Sequence, residues 1–126
     1  MKTMVCFRTA DGSFALPVEN TLAVRKLDGL IRLPTPRADV IGVIFGDPPL
    51  SVIAPLGAGG EHLLVVSSGD VCFGLHVLEV IGVRRFDDSQ IGPPPRGQES
   101  GFISGTLADA DELMLIADPD ALAARL

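Results

Sequence analysis

Residues 14–56 read FALPVENTLAVRKLDGLIRLPTPRADVIGVIFGDPPLSVIAPL. A short apolar strand, one polar turn, an Arg-bearing strand, a turn bracketed by prolines and an apolar Gly-Val-Ile run follow one another in that order. Each run is too short for a stable helix and is closed by Pro, Asp, Asn or Gly, which is the punctuation of β-structure.

The same pattern extends outward. Strands are expected near 3–9, 13–18, 23–27, 41–45, 50–54, 62–68, 71–77, 79–86, 102–107 and 112–117. Many short strands at this spacing predict an all-β barrel or sandwich instead of alternating βα units. Asp11-Gly12 and Ser68-Gly69-Asp70 supply residues that tolerate the positive φ of tight hairpins, and 108–111 forms a polar link between two apolar runs. Three antiparallel hairpins follow: 3–9 with 13–18, 62–68 with 71–77, and 102–107 with 112–117. Along 71–77 the alternation puts Val71, Phe73, Leu75 and Val77 on one face and Cys72, Gly74 and His76 on the other. In 63–66 both faces are apolar, as in a strand covered on both sides.

Helical signals are short. Asp118-Pro119-Asp120 offers an N-cap, a proline at the first helical position and a carboxylate beside the positive end of the helix dipole, ahead of Ala-Leu-Ala-Ala-Arg-Leu. Thr35-Pro36 repeats the device before residues 37–41, and 19–22 is a further candidate turn. Residues 87–101, DDSQIGPPPRGQESG, are expected to form a solvated, partly extended loop, because consecutive prolines fix φ and remove ladder donors.

The chain has 126 residues, 47% of them apolar, enough for a single domain with a substantial core. A net charge of −6 argues against nucleic acid or an anionic membrane surface as partner, since both are held by clustered cations. The two cysteines, Cys6 and Cys72, lack the paired spacing of a metal site and are too few for a disulfide framework, so both are expected as reduced, mostly buried thiols. The N-terminus has no apolar signal core and no run reaches the length of a bilayer span, which together with the thiols fits a cytoplasmic protein.

Nothing in the sequence assembles catalysis. His62 and His76 have no nucleophile signature near them. Gly101-Phe-Ile-Ser-Gly105 has the wrong spacing for a nucleophile elbow, so Ser104 reads as a strand residue before a bulge at Gly105. Gly57-Ala-Gly-Gly60 lacks the Lys-Ser/Thr of a phosphate loop and is followed by Glu61, so it reads as a flexible connection. Asp109, Asp111 and Glu112 lack the remaining ligands of a calcium loop and read as turn carboxylates, as does Asp87-Asp88. No cofactor, metal or catalytic residue is assigned. Adjacent cations at Arg25-Lys26 and Arg84-Arg85 have two readings, protection of an edge strand or contact with a partner.

Taken together, the order and spacing of these runs resemble the CheW-like domain of bacterial chemosensory systems. The resemblance is carried by residues 14–56, by Phe73-Gly74-Leu75-His76-Val77 with Glu79-Val80, by Ile91 with the prolines 93–95, by Phe102-Ile103-Ser104-Gly105, and by residues 113–118 before the final helix. It implies two intertwined five-stranded SH3-like barrels and a non-catalytic adaptor joining chemoreceptor tips to the regulatory domain of a CheA-type histidine kinase, in chemotaxis or in a specialised pathway such as pilus motility. By position it implies partner contacts at Val24, Arg25 and Lys26 and at the turn carrying Phe45, Asp47 and Pro48. The turn departs from the family: Asp47 stands where an exposed Arg is usual, Pro48 where Gly is usual, Ala23 where an acid is common, and Pro55 where Asp is usual. A reversed charge at an interface weakens the customary contact. The alternative reading is a small β-barrel that binds another protein, or a ligand in the groove between barrels, after losing the usual kinase and receptor partners. A small hydrolase using Ser104 and His76 is a third.

Overall fold

The structure is a computed structural model that describes residues 1–33, 39–46, 49–57, 59–96 and 101–126. Its strands are β1 (Lys2–Thr9), β2 (Gly12–Pro17), β3 (Thr21–Lys26), β4 (Leu30–Arg32), β5 (Val40–Ile44), β6 (Leu50–Ile53), β7 (His62–Ser68), β8 (Val71–Val77), β9 (Glu79–Phe86), β10 (Ile91–Gly92), β11 (Ile103–Asp109) and β12 (Glu112–Ala117), followed by the helix α1 (Pro119–Ala123). They form two sheets, ordered β10-β11-β12-β2-β1-β9 and β3-β7-β8-β6-β5-β4. Each holds five longer strands with one very short strand, β10 or β4, at an edge. The chain begins in the first sheet, crosses to the second for β3 through β8, and returns to the first, so the halves are intertwined.

The three expected hairpins are present, with β1 on β2, β7 on β8 and β11 on β12 all antiparallel. Two parallel contacts stitch distant segments: β12 on β2 through Leu115 opposite Phe14, and β6 on β8 through Val52 opposite Gly74. Gly42 is where β4 meets β5, and a Cβ there would lie 2.5 Å from the Ile31 carbonyl oxygen, so only glycine lets the strands close.

Three apolar clusters explain why several strands are buried on both faces. One lies within the first sheet (Met4, Cys6, Ala15, Phe86, Leu107, Met114, Ile116), and one within the second (Ile44, Val52, Leu63). The largest lies between the sheets and joins Val5, Phe7, Phe14 and Leu16 to Leu64, Val66, Phe73, Leu75 and Val77. Strand β1 sends Met4 and Cys6 into the first cluster and Val5 and Phe7 into the shared one, which is how period-two alternation buries four consecutive residues. Full burial of each such side chain contributes about 1.5–3 kcal/mol. Strand β7 does the same with Leu63 and Leu64, as its two apolar faces predict. The rings of Phe7 and Phe14 stack at 5.8 Å between centroids.

Helix α1 starts as expected: the Asp118 carboxylate accepts the Asp120 N–H at 3.0 Å, Pro119 opens the first turn, and Leu122 is sealed in the shared cluster. Ser104 sits at the register shift between Ile103 and Gly105, the expected bulge.

Other expectations are corrected. Cys72 is exposed whereas Cys6 is buried, because Cys72 points to the face of β8 away from the shared cluster. Val71, on the core-facing side of the alternation, is 43% exposed because it lies beyond the end of that cluster. The candidate turn at 19–22 forms one step earlier as a 3-10 turn, Val18–Asn20, and Thr21 already begins β3. Of the turn expected at 37–41, residues 37 and 38 lie outside the described residues, Asp39 forms a bend, and Val40 and Ile41 already belong to β5. The loop 87–101 is built in its first third. Asp87 and Gln90 form a capping box around the 3-10 turn Asp88–Gln90, Gln90 Nε2 donates to the Ala108 carbonyl at 3.1 Å, and β10 pairs with Thr106 and Leu107.

Candidate functional site

Strand β3 is an edge of the second sheet and, among the described residues, ladders only to β7. Its cross-strand neighbours Leu63 and Leu64 are 0% and 1% exposed, yet Val24, directly opposite Leu64, is 50% exposed. The layers that cover β7 therefore stop short of β3. All five residues from Leu22 to Lys26 are exposed, with Leu22 and Val24 as the apolar members and Arg25 and Lys26 as the cations.

The sequence-predicted residues fall in two places. Val24, Arg25 and Lys26 lie on β3. Phe45 follows β5 directly and, at 75% exposure, is a bare aromatic ring on the surface. Asp47 and Pro48 lie outside the described residues. Strand β3 is one edge of the sheet and β5 lies one strand in from the other, but residues 27–29 carry the chain from Lys26 into the edge strand β4, and Leu30 of β4 pairs with Ile44 beside Phe45. Leu27 and Leu30 both pack on the cluster within the second sheet, which anchors this connection. Leu22 and Ile31, at 57% and 46% exposure, add apolar surface that sequence reasoning missed. A strand of three residues such as β4 is too short to show alternation, so Ile31 carried no signal of its own.

The two basic pairs separate in role. Arg84, on the edge strand β9 of the first sheet, is ion-paired and hydrogen-bonded to Asp109 of β11, tying two strands that are not neighbours in the sheet order. Arg25, Lys26 and Arg32 of β4 form no ion pair with any described residue. Both pairs do sit on edge strands, where charge discourages uncontrolled pairing.

The residues weighed for catalysis are engaged elsewhere. His76 Nε2 contacts the Gly60 carbonyl at 2.7 Å, and His62 Nδ1 contacts the Leu78 carbonyl at 3.1 Å, so both rings pin backbone at one end of the β7–β8 hairpin. Ser104 Oγ donates to the Ile116 carbonyl at 3.4 Å. Two described glycines of that segment pack on β8: Gly60 N–H donates to the Val77 carbonyl, and a Cβ at Gly59 would lie 2.6 Å from Val77 N. Among the turn carboxylates, Asp109 takes Arg84 and Glu112 accepts the Ser13 hydroxyl at 2.7 Å. Among the described residues no cluster of three or more His, Cys, Asp or Glu side chains is arranged to hold a metal ion. Burial pushes the Cys6 thiol above its ordinary value, with Arg84 drawing it back and Asp109 and Glu112 adding to the rise.

Clefts open on the surface among the described residues. One of about 520 Å³ is lined by residues that include Lys2, Val18, Glu19 and Ile91. Another, of about 380 Å³, lies where the two sheets meet, lined by Asp11, Phe14, Pro55, Leu56, Phe102 and Leu115 among others. No helix among the described residues is long and apolar enough to cross a membrane.

Comparison with known proteins follows from this architecture. None of the curated proteins matches the chain in sequence. Among solved structures, the scaffolding protein TtCheW from Thermoanaerobacter tengcongensis has the same fold, with a TM-score of 0.81 at 22% identity over 93% of this chain and 88% of that one. The two curled sheets correspond to its SH3-like fold. The profile of the CheW-like domain matches residues 49–126, from the approach to β6 through α1, so β3 lies upstream of the matched span and rests on the structural likeness. The chain belongs to the CheW-like domain family.

Proposed function

We propose that this chain is a non-catalytic chemosensory adaptor, acting in the cytoplasm as one domain that couples chemoreceptor tips to the regulatory domain of a CheA-type histidine kinase. Membership of the CheW-like family carries the reading. The β3 edge supports it, because a surface that keeps Leu22 and Val24 half exposed beside cations that form no ion pair with any described residue suits a contact with another protein. Isothermal titration of the purified chain with a kinase regulatory domain, and separately with a receptor tip, tests it. Saturable binding to both supports the adaptor; binding to neither at tens of micromolar refutes it.

The cleft between the sheets favours a second reading, a ligand-binding barrel that has left the kinase partnership. Its lining of Pro55, Leu56, Ile103 and Leu115 suits a small apolar compound. A thermal shift with such compounds, combined with no partner binding, would favour it over the adaptor.

A further inference from the structure

Strand β3 is unusual among the longer strands in being exposed along nearly its whole length and on both faces. Past a register shift at Leu22, the edge from Ala23 to Lys26 presents every second residue's N–H and C=O outward, a template for another strand. Five exposed residues, Leu22 to Lys26, span roughly 16 Å of extended chain, enough to seat a short segment.

The charges select what can pair. Arg25 and Lys26 lie on opposite faces of β3, since successive side chains alternate, so a strand laid alongside meets a cation above and below the sheet. A second copy of β3 would bring another Arg-Lys pair into the same ribbon, between chains that each carry a net charge of −6. An acidic strand avoids the local obstacle, because at close range its carboxylates meet Arg25 and Lys26 before they meet the chain's overall charge.

We propose that the β3 edge is a docking site for an extended, acidic segment of a partner protein, which adds to the second sheet as a strand with carboxylates opposite Arg25 and Lys26 and apolar side chains beside Leu22 and Val24. Main-chain ladder bonds hold the segment and the two cations set its sign. The inference deepens the adaptor reading, on which it rests for the partner being a protein.

The test uses the intact chain and a capped Glu-Val peptide of about ten residues in which Glu-Glu and Val-Val pairs alternate, so that each face of the strand carries both carboxylates and apolar side chains, with its Lys-Val counterpart and a version N-methylated at alternate residues. Fluorescence anisotropy should show the Glu-Val peptide binding at least about tenfold more tightly than Lys-Val, weakening as salt is raised. The Arg25→Glu/Lys26→Glu variant should reverse that preference, and N-methylation on the β3-facing side should abolish binding. Amide exchange of residues 22–26 should slow when the peptide is present. Equal binding of both peptides, unchanged binding after N-methylation, protection confined to another strand, or self-association through β3 would each overturn the proposal. Peptide binding without kinase or receptor binding would sink the adaptor reading alone. Kinase and receptor binding that survives Arg25→Glu/Lys26→Glu, with no peptide bound, would sink only the docking edge.

Discussion

Truncating Phe73 to alanine should cost the fold a large share of its stability while removing Phe45 costs almost nothing. Phe73 is 0% exposed, sits opposite Val66 in the β7–β8 ladder and lies in the cluster between the sheets. Removing a buried phenyl group loses its transfer energy and leaves a cavity, together about 3–5 kcal/mol. A chain of 126 residues is typically stable by about 6–19 kcal/mol, so the loss is a sizeable fraction. With a urea slope of about 2 kcal/mol per molar, the unfolding midpoint should fall by about 2 M. The shared cluster draws on both sheets, so both should unfold in one transition, before and after the change. Phe45→Ala, at a ring 75% exposed, should move the midpoint by less than about 0.3 M. Urea titrations followed by far-ultraviolet circular dichroism read all three quantities. A Phe73→Ala midpoint within about 0.5 M of the parent, or two separated transitions, would refute the idea that a common core locks the halves together.

Further expectations concern single groups. Of the two thiols, Cys72 should react with a small alkylating reagent in the native protein and Cys6 only on unfolding, since one is exposed and the other buried; mass spectrometry of partially labelled chain reads this directly. Because burial raises the Cys6 thiol above 9.0, the unfolded chain loses that proton first as pH climbs, so stability should decline above about pH 9 until the folded thiol also ionises. The chain has no tyrosine to mask the effect, and Cys6→Ala should flatten that decline in urea titrations run at several pH values. Ala110 turns the β11–β12 hairpin at φ +52, a left-handed conformation costly for a residue with a Cβ, so Ala110→Gly should raise stability by about 0.5–1 kcal/mol in the same assay.

Much of this architecture was legible because its signals are local. Asp11-Gly12 and Ser68-Gly69-Asp70 encode their hairpins in adjacent residues, and Asp118-Pro119-Asp120 encodes a helix start in three. The alternation of Phe73, Leu75 and Val77 points to one face whatever lies opposite it. What escaped was either too short or too distant. Strands β4 and β10 have three and two residues, below the length at which a period can be read, and exist because a neighbouring strand supplies the ladder. The parallel contacts β12 on β2 and β6 on β8 join segments with no turn between them to announce the pairing. Cys72 looked buried because its neighbours are apolar, but β8 is buried deeply on its Phe73 face, and Cys72 lies on the other near the hairpin tip. For the candidate site, Val24 and Phe45 came only through resemblance, whereas Arg25 and Lys26 also stood out as adjacent cations in an acidic chain. That β3 is an uncovered edge depends on where the two clusters end, which no stretch of residues states.

The central claim is that this chain bridges two partners, and co-sedimentation tests it most directly. Vesicles bearing receptor tips are mixed with a CheA-type kinase, with and without the chain, and the pelleted kinase is quantified. An adaptor predicts that kinase sediments with the vesicles in proportion to added chain, reaches a plateau, and returns to the supernatant when soluble kinase regulatory domain is added in excess. Kinase recovery that does not change on adding the chain would contradict the account.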